Sequence, residues 1–311
     1  MRERTQVALK LVVTHIILVP ALILSTFIAG WYGFLTISMI QTIMLILYFS
    51  GYWEFFGLRF RVIYSVIMEL FLFIELIFKL LVQTSGVTNG YLICAIIVLQ
   101  VYLLFELIKI IVVILLKESE VVEINFPLIN GKYLITDGGN SKISRLMNYH
   151  FYSRVHKKKG TNYSMLFATD IVKTGNSATG FLPRRNEDFP VFGEKVFSPV
   201  SGTVVRVVNN IDDNIPWCGG YPYNTGNTVV IQMGNRFLLV GHLRKDSIKV
   251  KVGGSVTAND FIGEAGNSGL SERPHLHMQL IESKTEDYWQ GRGVSIRFKK
   301  KNLFKNRVID M

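Results

Sequence analysis

From Leu11 to Trp53 the chain has no Asp, Glu, Lys or Arg. That charge-free run of 43 residues is about twice what one bilayer crossing needs, roughly 20 residues, and it excludes a single water-soluble globule. Cysteine is nearly missing. Cys94 lies in the apolar third and Cys218 far beyond it, which excludes a thiolate zinc site and argues against a disulfide framework. Charge is scarce overall, at 18% of residues, and mean hydropathy is +0.31. The scarcity is uneven: residues 1–116 carry 7 Lys/Arg and 5 Asp/Glu, whereas residues 117–311 carry 27 and 18. The second part nets +9 with an ordinary charge density, so disorder is not its main theme. It is long enough to bury its own core, and five of the six histidines lie in it.

What is present in the first third reads as membrane helices at roughly 8–29, 34–53, 62–83 and 91–116, about four crossings. Gly30, Trp31, Tyr32 and Gly33 mark a break where aromatic rings suit a membrane interface. Arg2, Arg4 and Lys10 precede the first run, whose length and lack of a small-residue cleavage site favour a retained helix over a removed signal peptide. The third segment carries Glu69, Glu75 and Lys79. Glu75 and Lys79 are four apart and can pair on one helix face. Bundle packing is the expected role of the glutamates, with an intramembrane function as the alternative. Positive residues at the N-terminus, at Arg59 and Arg61 and at Lys117 place both ends of a four-span array in the cytoplasm.

From Glu118 onward the period changes. Val121–Phe126, Thr203–Val208, Thr228–Met233, Phe237–Leu243 and His275–Ile281 are short β-branched or aromatic runs separated by Gly, Pro, Asn and Asp. This predicts an all-β sandwich or barrel-like domain over 117–311, with no long helical pattern inside it. Residues 209–227 read as a long, turn-rich loop, and with 172–194 they are where specificity is expected. The basic tail at 297–307 reads as a solvated end, with contact to anionic lipid or polymer as the alternative.

The sharpest feature is Pro274-His275-Leu276-His277-Met278-Gln279-Leu280. In a strand, alternate side chains share a face, so His275, His277 and Gln279 point one way and the apolar residues point into the core. Two imidazoles on one face can bind a metal together, or one can bind while the other acts on bound water. His242 ends one apolar strand and Asp170 ends another apolar stretch, Met165–Ile171. An Asp flanked by apolar residues is scarce unless it is paired or ligating. Three His/Asp ligands with an open fourth position make a catalytic zinc geometry.

Residues 195–280 resemble the lysostaphin/LytM-type zinc peptidases, whose members mostly cut peptidoglycan peptides. The resemblance rests on Val196-Phe197-Ser198-Pro199-Val200-Ser201-Gly202-Thr203-Val204, Gly226–Ile231, Gly241-His242-Leu243, Val252–Val256, Ile262–Gly269 and Pro274-His275-Leu276-His277. It extends over roughly 145–282 and leaves the apolar third uncovered. It implies a duplicated-hybrid-motif β fold and one Zn2+ per chain. It also implies His277 and Asp170 as ligands, with His275 and His242 as the catalytic pair that orients water, shuttles its proton and stabilises the oxyanion.

The chain departs from the family at the usual first ligand, a His four residues before the Asp, which here is Leu166; the Gly between them is Ala168. Family members with an aromatic-Ala-x-Asp version carry an upstream Asn-x-His, matched here by Asn148-Tyr149-His150 and Phe167-Ala168-Thr169-Asp170. His150 is therefore the expected third ligand. His156, set among Arg154, Lys157, Lys158 and Lys159, is the competitor. The resemblance implies a membrane-anchored zinc endopeptidase acting on peptidoglycan stem peptides or cross-bridges, on the extracytoplasmic side. That side conflicts with the positive-inside count. A catalytically inactive scaffold or activator of another hydrolase is the alternative. A biotinyl/lipoyl-type carrier is disfavoured because residues 209–227 contain no Lys. Expected partners are the peptide substrate and the lipid bilayer, with no nucleic acid.

Overall fold

The computed structural model describes residues 2–28, 30–81, 89–152, 162–174, 182–218 and 225–311. His156 and parts of the 172–194 and 209–227 segments lie outside the described residues. The chain divides into a helical unit, residues 2–112, and a second unit from Val113 to Met311.

In the helical unit, α1 (Arg2–Leu11) and α2 (Leu18–Ser25) are separated by a π-helical turn at Val12–Ile16. They are followed by α3 (Gly30–Ser50), α4 (Leu58–Leu81) and α5 (Gly90–Leu115). Gly57, at φ +83°, makes the turn into α4 in a conformation that L side chains resist. The Trp53 indole N–H donates to Leu47 O at 3.0 Å and Tyr48 O at 3.1 Å, closing the end of α3 where carbonyls lack helical partners. Leu18, Leu22, Ile37, Met44, Trp53, Met68 and Leu72 form the apolar interior. Polar groups are also turned inward. Ser25 donates to Glu75 Oε1 at 2.7 Å, Lys79 Nζ donates to Ser25 O at 3.0 Å and Ile28 O at 2.7 Å, and Lys79 stands 3.8 Å from Glu75. The i, i+4 pair expected from the sequence is thus formed, and it is buried.

The expectation of about four crossings is corrected. Two helices, α3 and α5, are long and apolar enough to cross a membrane among the described residues. Before Gly30 the helical path is broken into short pieces by the π turn. α4 has the length, but Arg59, Arg61, Glu69, Glu75 and Lys79 interrupt its apolar composition.

The second unit is β-rich, and no α-helix follows Leu115 among the described residues. Its strands are β1 (Val121–Glu123), β2 (Lys132–Asp137), β3 (Thr169–Thr174), β4 (Lys195–Phe197), β5 (Gly202–Val208), β6 (Asn227–Met233) and β7 (Arg236–Leu243). Then come β8 (Ser255–Val256), β9 (Phe261–Glu264), β10 (Leu276–Glu282), β11 (Arg292–Phe298), β12 (Lys301–Asn302) and β13 (Val308–Asp310). The main sheet runs β13-β2-β3-β10-β7-β6-β5-β8, with β11 joining β10, β1 and β12, while β4 and β9 form a separate pair. Alternation explains the core: Leu276, Met278 and Leu280 of β10 pack with Val229 and Ile231 of β6 and Leu238 and Val240 of β7. One consequence of the register matters for function. In β10, His277 stands opposite Asp170 of β3 on one side and Gly241 of β7 on the other.

The expectation of a solvated basic tail is also corrected. Residues 297–310 contribute to three strands, Leu303 and Ile309 enter the core, and Lys305 is buried 3.6 Å from Asp137. Short strands with apolar residues on one face only are hidden in the sequence by the lysines between them.

Candidate metal centre

Three neighbouring strands converge at one end of the main sheet. Asp170 comes from β3, His277 from β10 and His242 from the end of β7. His275 immediately precedes β10, and His150 begins a 3-10 turn at His150–Tyr152. All five sequence-predicted site residues therefore meet in one place.

Asp170 is the hub. Its Oδ1 is 2.9 Å from His277 Nδ1, and its Oδ2 is 3.3 Å from His150 Nε2 and 3.6 Å from His275 Nε2. His150, Asp170 and His277 are all buried, and one ligand atom from each lies within 4.8 Å of the others, the spacing a shared metal ion requires.

Hydrogen bonds behind the imidazoles define what each nitrogen presents. Asn148 Oδ1 can only accept, so the 2.7 Å contact with His150 Nδ1 is an N–H donated by the histidine, which leaves the Nε2 lone pair aimed at Asp170. Asn148 is itself fixed, donating through Nδ2 to Gly139 O and Ala168 O, each at 2.8 Å. His277 stands between two acceptors, with Nε2 3.0 Å from Gln279 Oε1 and Nδ1 2.9 Å from Asp170 Oδ1. Two imidazoles and a carboxylate thus converge, and this N,N,O donor set suits zinc.

The electrostatics agree. Burial alone would lower His150, but the adjacent Asp170 carboxylate outweighs it and the imidazole is raised above its ordinary value, because a proton is the one cation the chain can supply there. Burial alone would raise Asp170, yet the histidines around it and the hydrogen bonds from His150 and His277 hold its carboxyl well below the usual range.

The other two histidines face the same space but are held differently. His242 adopts φ +57°, a left-handed conformation that is costly for a non-glycine residue, and it turns the strand end so that the ring enters the site. Its Nδ1–H donates to Ser268 O at 2.7 Å, and His275 Nδ1–H donates to Arg273 O at 2.8 Å. The two ring centroids are 4.7 Å apart. Burial, reinforced by His275 and His277, pushes His242 well below the ordinary imidazole value. Burial also lowers His275, against the pull of Asp170. Both are thus neutral near pH 7, with Nε2 lone pairs free to take a proton.

Three contributors were not foreseen from the sequence. Asn148 was part of the quoted pattern without a role. Gln279 shares the His277 face by strand alternation, which was legible, but its partner was not. Asp137 stands opposite Asp170 in the sheet register, ends an apolar run as Asp170 does, and is raised to about 6 by burial against the counter-pull of Lys305. An acid closing an apolar strand was the signal in both cases.

Residues 186–288 match the model of Peptidase family M23. This span includes His242, His275 and His277 and leaves out His150 and Asp170. A curated relative, the peptidoglycan DD-endopeptidase ShyA of Vibrio cholerae, is 36% identical over 100 residues, which are 32% of this chain and 20% of that protein. The chain thus spans about a fifth of its curated relative's length. Among solved structures, a zinc-containing peptidase from Vibrio cholerae is similar at 21% identity and TM-score 0.33, over 55% of this chain and 38% of that one. The catalytic domain of lysostaphin from Staphylococcus simulans is similar at 20% identity and TM-score 0.30, over 47% and 86%. The family match and the curated relative bear out the resemblance read from the motifs, with residues 186–288 matching an M23-type peptidase.

Proposed function

We propose that this protein is a membrane-anchored zinc endopeptidase that hydrolyses peptide bonds in peptidoglycan stem peptides or cross-bridges. The observation that carries this reading is the convergence of two imidazoles and a carboxylate beside two further imidazoles. His150, Asp170 and His277 would hold one zinc ion. When bound, zinc lowers the pKa of a coordinated water and polarises the scissile carbonyl. His242 and His275 then do the proton work. One would accept the water's proton at Nε2 and return it to the departing amine nitrogen, while the other, its Nδ1–H already donated to the backbone, would stabilise the developing oxyanion as the Nε2-protonated imidazolium. Their Nδ1–H bonds to Ser268 O and Arg273 O fix both rings with Nε2 as the proton-accepting nitrogen.

The curated relative is by name a peptidoglycan DD-endopeptidase, which supports the wall peptide as the substrate class here. Such a substrate lies outside the cytoplasmic membrane, so the β-rich unit is proposed to act on that side, with α3 and α5 as its anchors. The second reading is an inactive wall-binding scaffold. Leu166 favours it, since a leucine occupies the position of the family's usual first ligand.

The test is to incubate the full-length protein in detergent with purified peptidoglycan and analyse the products for new peptide ends. Under the peptidase reading, new ends accumulate and disappear with chelator or in His277→Ala. A folded, zinc-free protein that yields none supports the scaffold.

A further inference from the structure

His242 and His275 come from different strands, yet both are oriented by one loop. Their Nδ1–H partners, Ser268 O and Arg273 O, belong to the irregular segment between β9 and β10. This segment is stitched to a second loop, residues 211–217. Asp213 Oδ1 accepts from Asn267 N at 2.6 Å, Asn214 N donates to Asn267 O at 3.0 Å, and Trp217 N donates to Glu272 O at 2.5 Å.

One side chain grips the stretch between the two orienting carbonyls. Asn214 Nδ2 donates to Gly269 O at 2.6 Å and to Ser271 O at 3.1 Å. Gly269 is at φ +77°, so the chain turns sharply just where the amide holds it. Ser271 continues the connection, donating through Oγ to Arg273 O at 2.8 Å and standing 3.2 Å from His275 Nδ1. Asn214 is in turn fixed from behind, its carbonyl accepting from Asn186 Nδ2 at 2.9 Å and from Asn267 Nδ2 at 3.1 Å.

We infer that Asn214 is a positioning residue for both histidines of the peptidase reading. By holding Gly269 O and Ser271 O, it sets where Ser268 O and Arg273 O lie, and thereby the tautomer and ring orientation of His242 and His275 together. The inference rests on the proposed function for its kinetic consequence, while the tautomers can be read without substrate. Asn214 touches none of the three proposed zinc ligands, so its loss should separate catalysis from metal binding, which a general loss of structure would not do.

The experiment uses the full-length protein, wild type, Asn214→Asp and Asn214→Ala. The Asp variant keeps the shape but turns an acceptor towards two carbonyls. The Ala variant removes the grip without repulsion and leaves intact the bonds from Asn267 N to Asp213 Oδ1 and from Trp217 N to Glu272 O, so it is the one expected to remain folded. Zinc per chain, kcat and KM on peptidoglycan, and the 15N shifts of the His242 and His275 imidazoles are measured on each. The expected result is a fall in kcat of about 10- to 100-fold with KM within about twofold and zinc unchanged. The 15N pattern should move from the single Nδ1–H tautomer to an averaged one. An unchanged kcat, or a loss that follows zinc loss while both rings keep the Nδ1–H tautomer, overturns the inference. If the wild type cleaves no peptidoglycan, the proposed function fails, and the spectra still decide the positioning: wild-type tautomers in Asn214→Ala overturn it.

Discussion

The two units of this chain turn opposite kinds of side chain outward. In residues 2–112 the outward-facing side chains are Phe, Leu, Ile and Val, such as Phe71, Ile74, Val98 and Val101, while Ser25, Glu75, Lys79 and Gln100 are inside. In the second unit the arrangement is the ordinary one, with Lys, Glu and Asn outside and an apolar core of Val, Ile and Leu. Its buried His150, Asp170 and His277 meet at the candidate metal centre. The difference teaches that burial of charge has two meanings here. In the helices, Glu75 and Lys79 are neutralised by one another and by backbone carbonyls, and the group is closed. In the β-rich unit, His150, His275 and His277 are gathered around the single carboxylate of Asp170, and the group offers a donor set for a cation.

The comparison breaks most visibly if the acceptor cluster is removed. His277→Ala should cost about 10^3-fold or more in peptidoglycan cleavage, several kcal/mol of transition-state stabilisation, while leaving the amount of protein in membranes unchanged on fractionation. Next is a matched pair of valines. Val101 in α5 is 60% exposed and Val252 in the second unit is 62% exposed. With α5 as a proposed membrane anchor, Val101→Arg should cost about 2.5–3.5 kcal/mol of insertion. Val252→Arg should stay within about 0.5 kcal/mol, because its surroundings are water. Equal effects at the two sites, read as membrane yield and thermal stability, would erase the distinction.

A smaller effect sharpens the site itself. Asn148→Ala should weaken zinc binding about 10- to 100-fold, because it frees the tautomer and ring of His150. Competition titration with a metal indicator reads this directly. Smaller still is the pH dependence. His150 is raised above its ordinary value, so its proton persists to higher pH than in a free imidazole and competes with zinc there. As pH is lowered, zinc affinity should therefore begin to fall before pH reaches about 6.5, by up to about tenfold per pH unit for one displaced proton. An affinity flat down to pH 6 would contradict this.

Much of this was legible in the sequence, for identifiable reasons. The strands at 202–208, 227–233, 236–243 and 276–282 announce themselves through alternation and β-branching, and they carry His242 and His277. The register that sets Asp170 beside His277 does not, because it is a property of pairing between segments more than 100 residues apart. His150 lies on a 3-10 turn with no periodic signal, so only the resemblance pointed to it. The basic tail was misread because lysines outnumber the few residues, Leu303 and Ile309 among them, that reach the core. In α4 a linear count cannot see that Lys79 and Glu75 face inward and Arg61 lies over the Tyr48 ring at 4.1 Å.

The central claim is that a histidine outside the usual motif completes a zinc site with Asp170 and His277. Elemental mass spectrometry of the purified full-length protein tests it most directly, comparing wild type with His150→Ala after stripping and reloading with zinc. The account predicts one tightly held zinc per chain in the wild type and its loss in the variant, with the fold retained. A His150→Ala protein that keeps its zinc with undiminished affinity would contradict it.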